Sequence, residues 1–324
     1  MDSEALATVV AEAVGVPAVE IRGLTRLSGG ASRESWAFDA VHDDRVEELV
    51  LRRAPTAISD AVGPTMMLEA AAMKEATRVG VPSPRVLFAT ADREPLGGSC
   101  IVMSRAAGET IARKILRDER FAGVRPKLAA QCGEILARLH QMDAAALGPV
   151  ANSYELDGLQ TVLETSGVEA PMLELAFRWL NQHRPPTTRQ TVVHGDFRNG
   201  NLVISPEGVQ AVLDWELVHL GDPMEDLGWL CTRAWRFGGA GPVGGFGEYA
   251  DLFAAYEATS GTAIDPDVVK WWVLLGTVKW GVICIVQAGR HLTGGQRSVE
   301  LAAIGRRLAE QEYDCMTLLE ELTA

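Results

Sequence analysis

The stretch VVHGDFRNGNLVI, residues 192–204, sets a histidine, an aspartate, an arginine and two asparagines between apolar flanks. Flanks this apolar belong in a core, and buried polar groups need partners. Three readings are open at this point: a tight turn between strands, a metal site, or a catalytic loop. Asp196 and Asn201 are five residues apart, and Asp214 follows at the end of the strand-like run QAVL (210–213). One carboxylate beside an incoming hydroxyl accepts or orients its proton. An asparagine carbonyl and a second carboxylate are hard oxygen ligands, suited to Mg²⁺ bridging nucleotide phosphates. The flanks TVV and LVI would hold such a loop rigidly between short strands.

The chain around this stretch has 324 residues, 47% hydrophobic and 23% charged, which fits a globular protein of two lobes or domains and excludes wholesale disorder. A net charge of −13 argues against a nucleic-acid partner, which needs a concentrated basic face. Five cysteines (Cys100, Cys132, Cys231, Cys284, Cys315) are scattered without a CxxC pair. They read as reduced thiols. The acidic start MDSEALATVV lacks the basic region of a secretory leader, so the expected location is cytoplasmic. Residues 271–289, WWVLLGTVKWGVICIVQAG, approach membrane-spanning length, but Lys279 sits at their centre. The expectation is a buried helix and no membrane partner.

Upstream of the loop, residues 3–14 read as an amphipathic helix, and TRLSGGASRESWAFDA and EELVLRRAP as strands around the acidic turn VHDDR. An Ala- and Met-rich helix follows at about 65–79, then two short apolar runs, RVLFAT and SCIVMS. From AAGET (106–110) onward the pattern turns mostly helical, with a short β insertion around the opening stretch. The division expected is 1–104, a small β-rich half, and 105–324, a larger helical half. LSGGASRES joins two strand-like runs with small residues that let backbone N–H groups approach phosphates. Arg52 ends LVLRR, and Glu69 lies on the next helix; a basic residue paired with a helix carboxylate is a phosphate-holding arrangement.

In this order, LSGGAS, LVLRR, Glu69, IVMS, HGDFRNGN, LDWE and GDPMEDL resemble the aminoglycoside phosphotransferase and choline kinase-like family over almost the whole chain. The specific part is the H-x-D-x-x-x-x-N loop with the following D-W-E. The resemblance implies an α+β, bilobal protein-kinase-like fold, with a small β-rich N-lobe and a larger, mainly helical C-lobe. It implies Asp196 as catalytic base, and Asn201 and Asp214 as Mg²⁺ ligands. Ser28, Gly29, Gly30, Ala31 and Ser32 would cover the ATP or GTP, and Arg52 would hold its phosphates with Glu69 as ion-pair partner. The backbone of Met103, Ser104, Arg105 and Ala106 would meet the base edge. His194 and Asp226 match positions that brace the loop.

Two departures stand out. The chain has five lysines and none before Lys74, so Arg52 must replace the lysine that most kinases place on this strand. In a strand, Val50 shares its face, so Val50 would roof the base while Arg52 reaches the phosphates. The other departure is Arg198, where many relatives have histidine; it would neutralise the transferring phosphoryl group. The Arg variant most resembles the branch also found fused to acyl-CoA dehydrogenases, which implies a hydroxyacyl-CoA-like acceptor.

The alternatives are an aminoglycoside-type antibiotic kinase and, because of the missing lysine, a nucleotide-binding protein without catalysis. A P-loop enzyme is excluded because no Gly-Lys dipeptide exists, and the six histidines form no HExxH spacing. The tryptophans Trp271, Trp272 and Trp280 read as core, Asp222 as a helix cap, and FGGAGPVGGFG (237–247) as a surface loop. Acceptor recognition is expected from the helical half near Arg233, Trp235 and Arg236. A phosphorylated acceptor would require several arginines in that cleft.

Overall fold

At VHDDR both Asp43 and Asp44 adopt left-handed backbone, with φ of 46° and 59°. Two consecutive positive φ values make the primed turn whose twist suits a tight hairpin. The computed structural model describes residues 1–27, 33–54, 66–92, 96–151, 156–187 and 189–323. Helix α1 (Ser3–Val14) precedes strands β1 (Glu20–Arg26), β2 (Glu34–His42) and β3 (Arg45–Arg53), helix α2 (Met66–Arg78), and strands β4 (Val86–Thr90) and β5 (Cys100–Ser104). The five strands form an antiparallel sheet in the order β1-β2-β3-β5-β4. Alternation along β3 buries Leu49 and Leu51 against α1, with Leu6 and Val10. Val50 and Arg52 therefore share the opposite face, and Val50 packs against the larger core.

The rest is mostly helical: α3 (Ala112–Arg117), α4 (Leu128–Leu139), α5 (Leu156–Ser166), α6 (Pro171–Gln182), α7 (Met224–Cys231), α8 (Tyr249–Ser260), α9 (Pro266–Leu292), α10 (Val299–Arg306) and α11 (Leu308–Thr323). Between α6 and α7 lie four short strands, β6 (Thr191–Val193), β7 (Leu202–Ser205), β8 (Gly208–Val212) and β9 (His219–Gly221). They make two separate antiparallel ladders, β6 with β9 and β7 with β8. The polar segment 194–201 leaves one ladder and enters the other, so both of its ends are pinned.

A hydrophobic cluster runs across residue 104. It joins Met66 and Met73 of α2 and Ile101 of β5 to Leu128 and Leu136 of α4, Phe197, and Leu227 of α7. Helix α9 is long and apolar enough to cross a membrane, yet 67% of its apolar window is buried in the fold. Lys279 is accommodated there by pairing with Glu225 at 3.3 Å. Trp271 is buried, in line with the core role its sequence setting implies.

The glycine-rich segment differs from the surface loop expected. Bridges pair Gly241 with Gly245 and Val243 with Gly247, and Val243 is fully buried. A Cβ on Gly239 would lie 2.2 Å from the Gly245 carbonyl oxygen. The glycines are therefore a packing requirement, and sequence composition alone does not separate that from looseness.

Another close approach holds α4 to α8, where a Cβ on Gly133 would sit 2.3 Å from the Leu252 carbonyl oxygen. Gly133→Ala is expected to destabilise the fold by about 1–3 kcal/mol, since backbone cannot yield as a flexible side chain can. Urea unfolding of the two proteins checks this, and equal midpoints would show that α8 moves freely.

Candidate active site

Asp226, in the first turn of α7, is fully buried, and its carboxylate organises the start of the polar loop. It accepts the N–H of His194 at 2.8 Å and that of Gly195 at 3.0 Å, with His140 Nε2 at 3.3 Å. Burial alone would raise this carboxyl's pKa. The hydrogen bonds from His140 and from the His194 N–H outweigh burial and hold it below the usual range. His140 Nε2 is then the donor, and Nδ1 accepts the Tyr256 hydroxyl at 3.0 Å.

His194 carries the order onward. Its Nδ1 accepts the Asp196 N–H at 3.2 Å, which makes Nε2 the donor to the Leu213 carbonyl at 3.0 Å. One ring thus joins the backbone of Asp196 to the residue before Asp214. The Leu213 N–H returns a bond to the Asn201 carbonyl at 2.8 Å. Burial depresses the imidazole's pKa despite the negative charges of Asp226, Asp196 and Asp214, so it stays neutral.

The Asp196 carboxylate is held by three donors. Oδ1 accepts Arg198 Nε at 2.9 Å and Trp229 Nε1 at 2.8 Å, and Oδ2 accepts Asn201 Nδ2 at 2.6 Å. A carboxylate oxygen takes two hydrogen bonds, so Oδ2 keeps one acceptor direction for an incoming hydroxyl. With Nδ2 committed, the Asn201 side-chain oxygen is left as that amide's acceptor. Arg198 also lies over the Trp235 ring, 4.4 Å from its centroid.

Asp214 adopts left-handed backbone, φ 67° and ψ 60°, an unusual conformation for a residue with a Cβ. Its Oδ1 pairs with Arg52 Nη2 at 2.5 Å. The same guanidinium meets Glu216 at 3.3 Å and Glu69 at 3.4 Å. Burial would lower the Arg52 pKa, but the charges of Glu69, Asp214 and Glu216 and the bond to Asp214 carry it above its ordinary value. Glu69 is fully buried, and burial pushes its carboxyl up although Arg52 and Arg33 stand beside it. Arg33 reaches it at 3.3 Å.

The structure therefore brings Arg52, Glu69 and Asp214 together by ion pairing and Asp196, Arg198 and Asn201 together by hydrogen bonds, and the Leu213 backbone joins the two groups. Val50 pairs across the sheet with Met103. The segment 103–106 is more constrained than expected. The Ser104 N–H is taken by the Arg85 carbonyl and the Arg105 N–H by the Glu48 carbonyl. The Arg105 side chain pairs with Asp39 at 3.0 Å and with Glu48. Ser28, Gly29, Gly30, Ala31 and Ser32 lie outside the described residues. Sequence reasoning gave no role to Trp229, Glu216 or Arg33. Trp229 lies three residues after Asp226 in α7, a helical spacing that puts both on one face and was a readable signal. All five cysteines are buried. Burial pushes the thiols up, Cys100 to about 11 and Cys231 to about 12, so none is a poised nucleophile.

Fold and site define a protein-kinase-like phosphotransferase. The model of the Phosphotransferase enzyme family, APH, matches residues 23–272, and the chain belongs to that family. Acyl-CoA dehydrogenase family member 10 of Mus musculus is 32% identical over 202 residues, covering 57% of this chain and 18% of that protein. Acyl-CoA dehydrogenase family member 11 of Homo sapiens is 28% identical over 164 residues, 46% of this chain and 20% of that protein. The chain thus spans about a fifth of the length of these curated relatives. Among solved structures, a candidate aminoglycoside phosphotransferase of Ralstonia eutropha superposes with a TM-score of 0.79 at 22% identity, over 99% of this chain and 98% of that one. A ternary complex of the aminoglycoside phosphotransferase APH(4)-Ia with AMP-PNP and hygromycin B gives 0.63 at 16% identity, over 98% of both chains. These likenesses show the fold.

The neutral His194 has a consequence for stability. In the unfolded chain its imidazole takes a proton below its ordinary pKa of 6.5, whereas the folded value is lower. Its contribution is therefore fully present above that value and lost as the pH falls through it toward the folded pKa. His219 acts in the opposite sense, because its bond to Glu225 outweighs burial and raises its pKa. Comparing His194→Gln with the parent isolates the His194 part. Between about pH 7.5 and pH 5.5 the parent should lose about 1 kcal/mol more unfolding free energy than the variant. Identical pH slopes in urea unfolding would show that His194 is not held neutral.

Proposed function

We propose that this chain transfers the γ-phosphate of ATP or GTP to a hydroxyl of a small molecule, with Asp196 as the base that accepts the hydroxyl proton. The observation that carries this reading is the Asp196 carboxylate. Three donors fix it, and it retains one acceptor direction on Oδ2 beside the Asn201 amide. Fixed geometry of this kind places the attacking oxygen without reorganisation at the moment of transfer.

Residues 1–104 form the nucleotide lobe in this reading, and 105–324 supply the base and the acceptor site. Val50 and Met103 flank the nucleotide base, and Ala106 offers its N–H to the base edge in place of the committed Ser104 and Arg105 donors. Ser28 to Ser32 cover the phosphates. Arg52 holds them, its planar fork already braced by Glu69. Arg198 keeps its Nε on Asp196 and offers its Nη groups to the transferring group, balancing its charge. An amide oxygen from Asn201 and a carboxylate from Asp214 fit Mg²⁺, which takes few protein ligands and completes its shell with phosphate oxygens. When bound, the ion offsets the charge between the β- and γ-phosphates.

The relatives named for acyl-CoA dehydrogenases favour a hydroxyacyl-CoA-like acceptor over an aminoglycoside. The three-donor grip on Asp196 favours turnover over nucleotide binding alone.

Asp196→Asn should reduce transfer by about 10²–10⁴-fold, the usual worth of a positioned base, while Mg·ATP still binds. Coupled ADP release over hydroxyacyl-CoAs and aminoglycosides, with calorimetry for nucleotide, reads both effects. Undiminished turnover in the variant refutes the assignment, and nucleotide binding without transfer to any acceptor supports the non-catalytic alternative.

A further inference from the structure

The chain is acidic overall, with a net charge of −13, yet one cavity runs opposite to it. A basin of about 1160 Å³ is lined by five arginines: Arg113, Arg117, Arg233, Arg236 and Arg307. They arrive from α3, from the turn after α7, and from the junction of α10 and α11. The lining holds two carboxylates, Glu310 and Asp314, which leaves an excess of three positive charges. Both carboxylates are already engaged, Asp314 with Arg233 at 3.2 Å and Glu310 with Arg307 at 3.0 Å.

The remaining arginines have less to hold them. Arg236 places Nη2 on the Cys231 carbonyl at 3.1 Å, while its buried Nε lacks an acceptor. Arg113 and Arg117 are exposed and make no ion pair among the described residues. Exposed arginines scattered over a surface would be ordinary. Here separate segments converge on one concavity, where like charges repel unless an anion sits between them.

The basin adjoins the catalytic loop. Phe237 lines it and adopts left-handed backbone, φ 48°. A Cβ on Gly200 would lie 2.8 Å from Arg198 Nη1 and 3.9 Å from Phe237 Cζ, so Phe237 and Arg198 both border this point of the loop. Phe237 also meets Trp235, with ring centroids 6.4 Å apart, and Trp235 carries the Arg198 guanidinium. Trp235 and Phe237 thus connect the arginine wall with Arg198, the residue paired with Asp196.

Resting on the phosphotransferase reading above, we propose that this basin binds the phosphorylated end of the acceptor, a handle bearing several phosphates, while its hydroxyl-bearing arm passes Phe237 toward Asp196. Guanidinium forks match phosphate oxygens bidentately, and several such contacts tolerate a flexible handle. The same excess of positive charge opposes a polycationic acceptor, so the wall selects against aminoglycosides by repulsion as well as for phosphates by attraction.

Coenzyme A is the probe, titrated calorimetrically into the full chain saturated with Mg·AMP-PNP so that its adenine cannot occupy the nucleotide site. The parent should bind it at a single site, and Arg113→Ser/Arg117→Ser should weaken binding by about tenfold or more, since each lost contact is charge-assisted. Both positions are exposed, so AMP-PNP affinity should not change and serves as the check on folding. Absence of coenzyme A binding, or equal affinity in the variant, overturns the basin proposal. Failure of AMP-PNP to bind strikes the phosphotransferase reading alone, and the titration without nucleotide then still reads the basin.

Discussion

The buried carboxylate of Asp226 is the constraint on which the rest of the site depends. An isolated buried carboxylate would be expensive, and this one is offset by two backbone N–H donors and His140. Those donors belong to His194 and Gly195, so the groups that stabilise the charge are the ones that start the loop. From there the order propagates through single bonds: His194 to the Leu213 carbonyl, Leu213 to Asn201, and Asn201 to Asp196. One turn along the same helix, Trp229 fixes the far oxygen of Asp196. A helix of eight residues therefore sets both the backbone and the carboxylate orientation of the proposed base.

A second constraint comes from the sheet. Arg52 joins elements from different parts of the chain through one guanidinium. Its Nη1 faces Glu69, while Nη2 meets Asp214 and Glu216. A compact ammonium, a point charge with no planar fork, would not divide itself between α2 and the segment after β8 in this way. Glu69 is fully buried and shared with Arg33, so its negative charge is matched from two directions. Arg52 is thus both a tie between the two halves of the chain and a preorganised cation beside Asp214.

Much of this architecture is legible in the amino-acid sequence, because it rests on local patterning. The apolar flanks of 192–204 mark the two ladder entries, the acidic pair at 43 and 44 marks the hairpin turn, and the charge at Lys279 marks α9 as buried. What stays hidden depends on contacts between distant segments. No local pattern shows that Arg105 turns to Asp39, 66 residues away, or that Arg33 reaches Glu69, 36 residues away. The ordering of 237–247 is hidden for the same reason, since glycines that signal looseness in a sequence here allow backbones to touch. Trp229 is readable from its spacing to Asp226, but a tryptophan in an apolar helix ordinarily belongs to the core.

In the function proposed for this site, Asn201 and Asp214 hold a divalent cation on the nucleotide while Asp196 faces the acceptor. The most direct measurement is anomalous diffraction from crystals grown with Mn²⁺ and AMP-PNP. An anomalous peak is expected about 2.1 Å from the Asn201 side-chain oxygen and from an Asp214 carboxylate oxygen, with Arg52 drawn onto phosphate. A peak held by other residues, with Arg52 still paired to Asp214, would contradict that proposal.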